Sequence, residues 1–255
     1  MTEYTDHYGP EGLRTRGTIV VVPGRGETRA TYARLGKRLA ADAYRVRVVD
    51  APDIDADDLT GSLTRFGARL ASAVEDTSAG DGVVRPVVLV GADTGAVATA
   101  ALLGREEIPA AGLPDAVVLA GFPGHTATAA GPWDHELDVR TFCPAHRHTL
   151  TDDSQVRRGS LNDAVPDVLL TAAYDSDIAV PVLILIGDAD PLADREALVR
   201  TAKSLPRARL SVVNDAHHDV LNDVQHRSVA AEIVTFLETL RNELVPVIAV
   251  ESSAW

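Results

Sequence analysis

A mostly parallel β-sheet covered on both faces by helices, an α/β fold in one domain, is what this sequence predicts. Three observations carry that expectation. Runs such as TIVVV, VVLVG and VLILIG are apolar throughout rather than alternating, as strands buried on both faces must be. Amphipathic stretches with helical spacing separate them, and one long departure from this rhythm reads as an insertion.

Taken in order, residues 1–17 are polar and read as a loosely held N-terminal arm. TIVVVPG, residues 18–24, is a buried strand stopped by Pro-Gly, and YARLGKRLAAD, 32–42, follows as a helix with Leu35 and Leu39 four apart. YRVRVVDAP, 44–52, is a second strand, and Leu63, Phe66, Leu70 and Val74 mark a helix over 59–74. VVLVG, 87–91, is a third strand leading into a small-residue helix from Ala96 to Leu103, and DAVVLAG, 115–121, is a fourth. Residues 122–178 are polar and irregular, with one good helical stretch at 165–174, too long for an ordinary loop and therefore a cap insertion. The alternation resumes with a strand at 180–188, a helix at 195–205, a strand at 208–215 and a helix at 227–244. The expected organisation is a core of residues 18–121 and 179–243, a cap of 122–178 and a tail of 244–255 that reads as a strand, a packing arm or a homo-oligomer contact.

Charge and composition narrow the function. With 24 basic and 37 acidic residues the formal charge is -13, which disfavours binding to nucleic acid or anionic membrane. No stretch reaches the length of a membrane span and no signal peptide is evident, so a cytoplasmic protein is expected. The single cysteine, Cys143, rules out an internal disulfide framework. Cys143, His146 and His148 lie close in sequence but lack a fourth ligand and standard zinc spacing, and the acidic run at 50–58 lacks the Gly and Glu of a calcium loop. No metal or cofactor is expected; the partner is a small-molecule substrate.

Chemistry concentrates at the turn VVLVGADTGAV. Gly91, Ala92, Gly95 and Ala96 surround Asp93 with small residues, as a strained strand-to-helix elbow requires. Upstream, VVPGRGETRATYARLGKRLAADAYRV resembles the corresponding segment of α/β-hydrolases of the monoacylglycerol lipase and lysophospholipase type, with Pro23 where that family has histidine. Downstream, GDAD places Asp190 where the family carries its triad acid, with Asp188 and Asp194 as neighbours, and HHDVLND places His218 at the catalytic histidine, with His217 beside it. The resemblance covers 18–121 and 180–243 and implies an oxyanion hole from the backbone N–H groups of Arg25 and Thr94.

An aspartate at the elbow suggests different chemistry from a serine. Ionised near neutral pH, with a reference pKa of about 3.9, it is expected to attack an sp³ carbon, forming an alkyl-aspartyl ester that His218 then hydrolyses through water. Haloalkane dehalogenases and epoxide hydrolases work this way, but they carry tryptophan after the nucleophile where this chain has Thr94. Three alternatives stand beside it: a cofactor-independent His/Asp acid–base enzyme, a binding or assembly protein on a hydrolase scaffold, and a lipase-like ester hydrolase. Gly24, Phe122, Trp133, Phe142 and Tyr174 are expected to line an apolar pocket, with His146 or Arg147 holding a polar end.

Overall fold

The computed structural model describes residues 4–78, 82–105, 114–126, 130–249 and 251–252. Seven strands form one sheet in the order β1-β3-β2-β4-β5-β6-β7, where β1 is Tyr4–His7, β2 Thr18–Val22, β3 Arg45–Val49, β4 Val87–Ala92, β5 Ala116–Ala120, β6 Val182–Gly187 and β7 Ala208–Val213. Every neighbouring pair is parallel except β1 with β3. The N-terminal arm thus contributes an edge strand, held by Arg47, which pairs with Asp6 at 2.7 Å and lies over the Tyr4 ring.

The unbroken apolar runs follow from burial on both faces. Along β2, Ile19 and Val21 join Val46, Val48, Val88 and Val90 beneath α1 (Ala33–Ala41) and α8 (His226–Leu240). Val20 and Val22 point the other way, joining Leu89 and Val117 against α2 (Leu59–Glu75) and α3 (Thr94–Leu103). Each fully buried Val or Leu contributes roughly 1.5–3 kcal/mol, so a polar substitution on either face of β2 or β4 removes core on that side.

Between β5 and β6 lie α4 (Trp133–Arg140), α5 (Pro144–Asp152) and α6 (Asp167–Tyr174), followed after β6 by α7 (Arg195–Ser204). Of the three helices between β5 and β6, only α6 was expected from periodicity. Helices α4 and α5 carry mostly polar residues, and their inward contacts are largely ionic, so no apolar stripe announces them. Helix α3 starts at Thr94, directly after the elbow, rather than at Ala96. The tail from Arg241 to Ala249 forms no strand and is largely exposed, including Val245, Val247 and Ile248; Trp255 lies outside the described residues. No helix among the described residues is long and apolar enough to cross a membrane.

The order of the strands positions the site. The chain runs from β2 to β3 on one side and returns to β4 on the other, so the ends of β2 and β4 diverge into a crevice at the carboxyl edge, where ligands bind in such sheets. The loops after β2, β4, β6 and β7 converge there.

Candidate active site

Asp93 sits on a strained backbone, with φ 46° and ψ −123°, between β4 and the first turn of α3. The glycines around it are needed for contact. A Cβ at Gly91 would lie 2.6 Å from the Cα of Ala96, and one at Gly95 would lie 2.5 Å from the carbonyl oxygen of Pro23. At Gly24 it would lie 2.6 Å from the Asp93 Cβ, so that residue approaches the elbow by having no side chain.

His218, after β7, is buried with each ring nitrogen facing a carboxylate. Nδ1 is 2.9 Å from Asp190 Oδ2 and Nε2 is 3.2 Å from Asp93 Oδ1. Asp190 is fixed in turn by the Leu192 N–H, which donates to its Oδ1 at 2.9 Å. The neighbouring candidates stand elsewhere: Asp188 accepts from the Asp215 N–H, Asp194 caps α7 through the Ala197 N–H, and His217 pairs with Asp223 and stacks on Phe142.

Asp93 is also gripped by Arg25. The Arg25 backbone N–H donates to Asp93 Oδ2 at 2.7 Å, and its guanidinium donates to both oxygens, from Nε at 2.9 Å and from Nη2 at 2.8 Å. The Thr94 hydroxyl adds a bond to Oδ2 at 3.1 Å. The Arg25 peptide is aimed by the cap: its carbonyl accepts from Arg140 Nη2 at 2.8 Å and from the Ser160 hydroxyl at 3.0 Å.

These contacts fix the protonation states. Burial disfavours ionised Asp93, but the Arg25 charge and the His218 and Arg25 hydrogen bonds hold its pKa well below the usual value. Burial likewise disfavours a charged imidazole, but the Asp190 charge, hydrogen bonds from Asp190 and Asp93 and the Asp93 charge push His218 up to about 10. Asp93, Asp190, His218 and Arg25 thus form a buried quartet of two acidic and two basic groups joined by ion pairs.

Beside the quartet lie groups that sequence reasoning passed over: Glu27, Tyr32, Glu136, Arg140, Ser160 and Asp219. Glu136 and Arg140, four apart on α4, form a fully buried ion pair at 3.0 Å, and that spacing was legible as a helical pair. Burial and the Asp219 charge raise Glu27 to about 7. Nothing in the sequence joins Glu27, His146 and Asp219, which only the fold brings together.

The cap aromatics take other places. Phe122 packs in the sheet core, edge-on to Tyr174, whose hydroxyl donates to the Pro123 carbonyl. Trp133 packs on Leu137, Leu150 and Val156 in the cap's own core, and Phe142 is 57% exposed. Arg147 pairs with Asp138, and His146 with Asp219. One cavity touching both Asp93 and His218, of about 10 Å³, is lined by Glu27, Tyr32, Asp219 and Asn222, and none of the expected aromatics or Arg147 lines it. Two polar cap side chains, Arg140 and Ser160, reach inward to the Arg25 carbonyl.

Residues 14–225 match the hydrolase family described as "Serine aminopeptidase, S33". No curated protein matches the sequence. Among solved structures, the fold is similar to monoacylglycerol lipase of Paleococcus ferrophilus, at 16% identity and a TM-score of 0.68, covering 93% of this chain and 98% of that one. It is also similar to a soluble variant of monoglyceride lipase from Saccharomyces cerevisiae in complex with a substrate analog, at 15% identity and a TM-score of 0.70, covering 93% and 91%. A type II thioesterase of the yersiniabactin pathway matches at 18% identity and a TM-score of 0.59, covering 94% and 99%.

The expectation of an aspartate nucleophile is corrected by this match, because the family is built on a serine nucleophile, as its description says. In the resting geometry both Asp93 oxygens are held by hydrogen bonds, one from the Arg25 backbone N–H, and both His218 ring nitrogens face carboxylates.

Proposed function

Since the chain belongs to this serine-aminopeptidase family of α/β-hydrolases and is a hydrolase, we propose that it cleaves an ester or related acyl bond of a small, partly apolar molecule. This is the lipase-like reading, adapted to a chain whose elbow holds Asp93 in place of serine. The observation that carries it is the pairing of His218 with Asp190 at 2.9 Å and with the elbow residue at 3.2 Å.

The chemistry follows from the charges. A substrate that displaces the Arg25 side chain frees the Asp93 carboxylate as a base. Asp93 takes a proton from water as its oxygen adds to the acyl carbon, and the Arg25 and Thr94 N–H groups receive the developing oxyanion. His218 gives its Nε2 proton to the leaving alkoxide, and Asp93 returns its proton to His218. Water, not a side chain, forms the new bond, so no covalent intermediate arises.

The test is a panel of small acyl esters under single turnover in heavy-oxygen water. Label is expected in the acid product on the first turnover, and His218→Gln is expected to slow hydrolysis by roughly 10²–10⁴-fold. Absence of turnover across the panel, or an unlabelled first product, overturns the proposal. A cytoplasmic setting belongs to the same reading, supported by the buried free thiol of Cys143 and the charge of -13. The exposed Val245, Val247 and Ile248 support a homo-oligomer contact through the tail, which light scattering on the chain truncated at 244 tests by loss of the larger species.

A further inference from the structure

Three side chains from separate segments meet behind the quartet. Glu27 comes from the loop after β2, His146 from α5 of the cap, and Asp219 from the residue after His218. Each offers a ligand atom, and the three atoms lie within 4.8 Å of one another. The side chains are buried: His146 is 2% exposed and Asp219 is 5%; Glu27 is 8% exposed.

One atom of this group is unpartnered. Glu27 Oε2 accepts from the Gly24 N–H at 2.8 Å and from the Tyr32 hydroxyl, whereas Oε1 has no hydrogen-bond partner among the described residues although it is buried. An orphaned carboxylate oxygen costs free energy unless something satisfies it. Glu27 and Asp219 also line the same small cavity.

We propose that Glu27, His146 and Asp219 bind one divalent transition-metal ion, of the zinc or manganese class, through a carboxylate oxygen, Nε2 and a carboxylate oxygen.

The geometry suits such an ion. His146 Nε2 and Asp219 Oδ2 are 2.8 Å apart, near the spacing of adjacent ligands around an ion with bonds of about 2.0–2.2 Å. One imidazole and two carboxylates select neither the soft-thiolate metals nor the all-oxygen calcium class. The ion would join the core to the cap and fix the segment that carries His218. This site runs against the expectation of no metal, and its three ligands lie too far apart along the chain to form a motif.

The test is calorimetric titration of chelator-treated protein with ZnCl₂ and with MnCl₂. One ion per chain is expected, with affinity at least tenfold weaker in Glu27→Gln and in His146→Gln and unchanged in His148→Gln and Cys143→Ser. Binding that survives both ligand substitutions, or no binding to the wild-type chain, overturns the proposal. Where a ligand variant folds poorly, Mn²⁺ on the wild-type chain decides: paramagnetic broadening is expected at His146 and Asn222, and broadening confined to surface histidines such as His148 overturns the site. These readouts are independent of hydrolysis, so they stand or fall apart from the ester reading.

Discussion

At residue scale the central object is a carboxylate where the family has a hydroxyl. Asp93 turns the elbow into an ion pair with Arg25, whose side chain is 9% exposed. Removing one member of a buried pair costs about 3–5 kcal/mol because the other is left unpaired. Arg25→Ala and Asp93→Ala are each expected to lower the urea midpoint sharply, while the double substitution recovers part of the loss; additive losses in the cycle would show the two side chains to be uncoupled. The pH behaviour follows from His218. Because the folded state raises its pKa from 6.5 to about 10, folding gains stability fully present below pH 6.5 and lost as pH rises toward 10. Denaturant titrations at pH 6 and pH 10 are expected to show that decline, and His218→Gln is expected to flatten it. The hydrolysis rate, if His218 acts as the acid, stays level through neutrality and falls near pH 10. A rise through pH 6–7, the signature of a histidine base, contradicts that role.

Among the elements, β4 and α3 depend on one tight turn. Gly95 lies against the carbonyl oxygens of Pro23 and Val22, at 2.5 and 2.6 Å from where a Cβ would sit. Those atoms are backbone and cannot swing aside. Gly95→Ala is therefore expected to cost about 1–3 kcal/mol, as overpacking does, and to push the loop carrying Arg25 away from Asp93. A crystal structure of the variant with the Arg25 N–H still within hydrogen-bond distance of Asp93 would refute the second half. The turn was legible in the sequence as a set of small residues, and the partner it presses on was not. That partner is the end of β2, about 70 residues earlier in the chain, and only the parallel pairing of β2 with β4 brings the two together.

The whole molecule is organised around the docking of cap on core. The His218 and Asp219 N–H groups donate to the Val139 and Arg140 carbonyls at 3.1 and 2.8 Å, and the Arg157 N–H donates to Gly26 O at 2.9 Å. Asp223 receives the Thr141 hydroxyl and the Phe142 and Cys143 N–H groups. With so many bonds crossing one boundary, the loop carrying His218 and the cap should open together. Hydrogen exchange at His218, Asp219 and Arg157 is expected to share one opening free energy; faster exchange at Arg157 alone would mean that the cap loosens by itself.

What the sequence determined by itself was the scaffold and the order of its chemistry. Unbroken β-branched runs can satisfy both of their faces only inside a covered sheet, the small residues around Asp93 marked the elbow, and the resemblance to α/β-hydrolase motifs pointed to Asp190 and His218. Tertiary structure decided what those residues can do. The Arg25 grip on Asp93, the clamping of His218 between two carboxylates and the meeting of Glu27, His146 and Asp219 all depend on distances between segments remote along the chain. Local pattern records which residues face inward, whereas the charge that a buried group carries is set by whatever else the fold brings within a few ångströms of it.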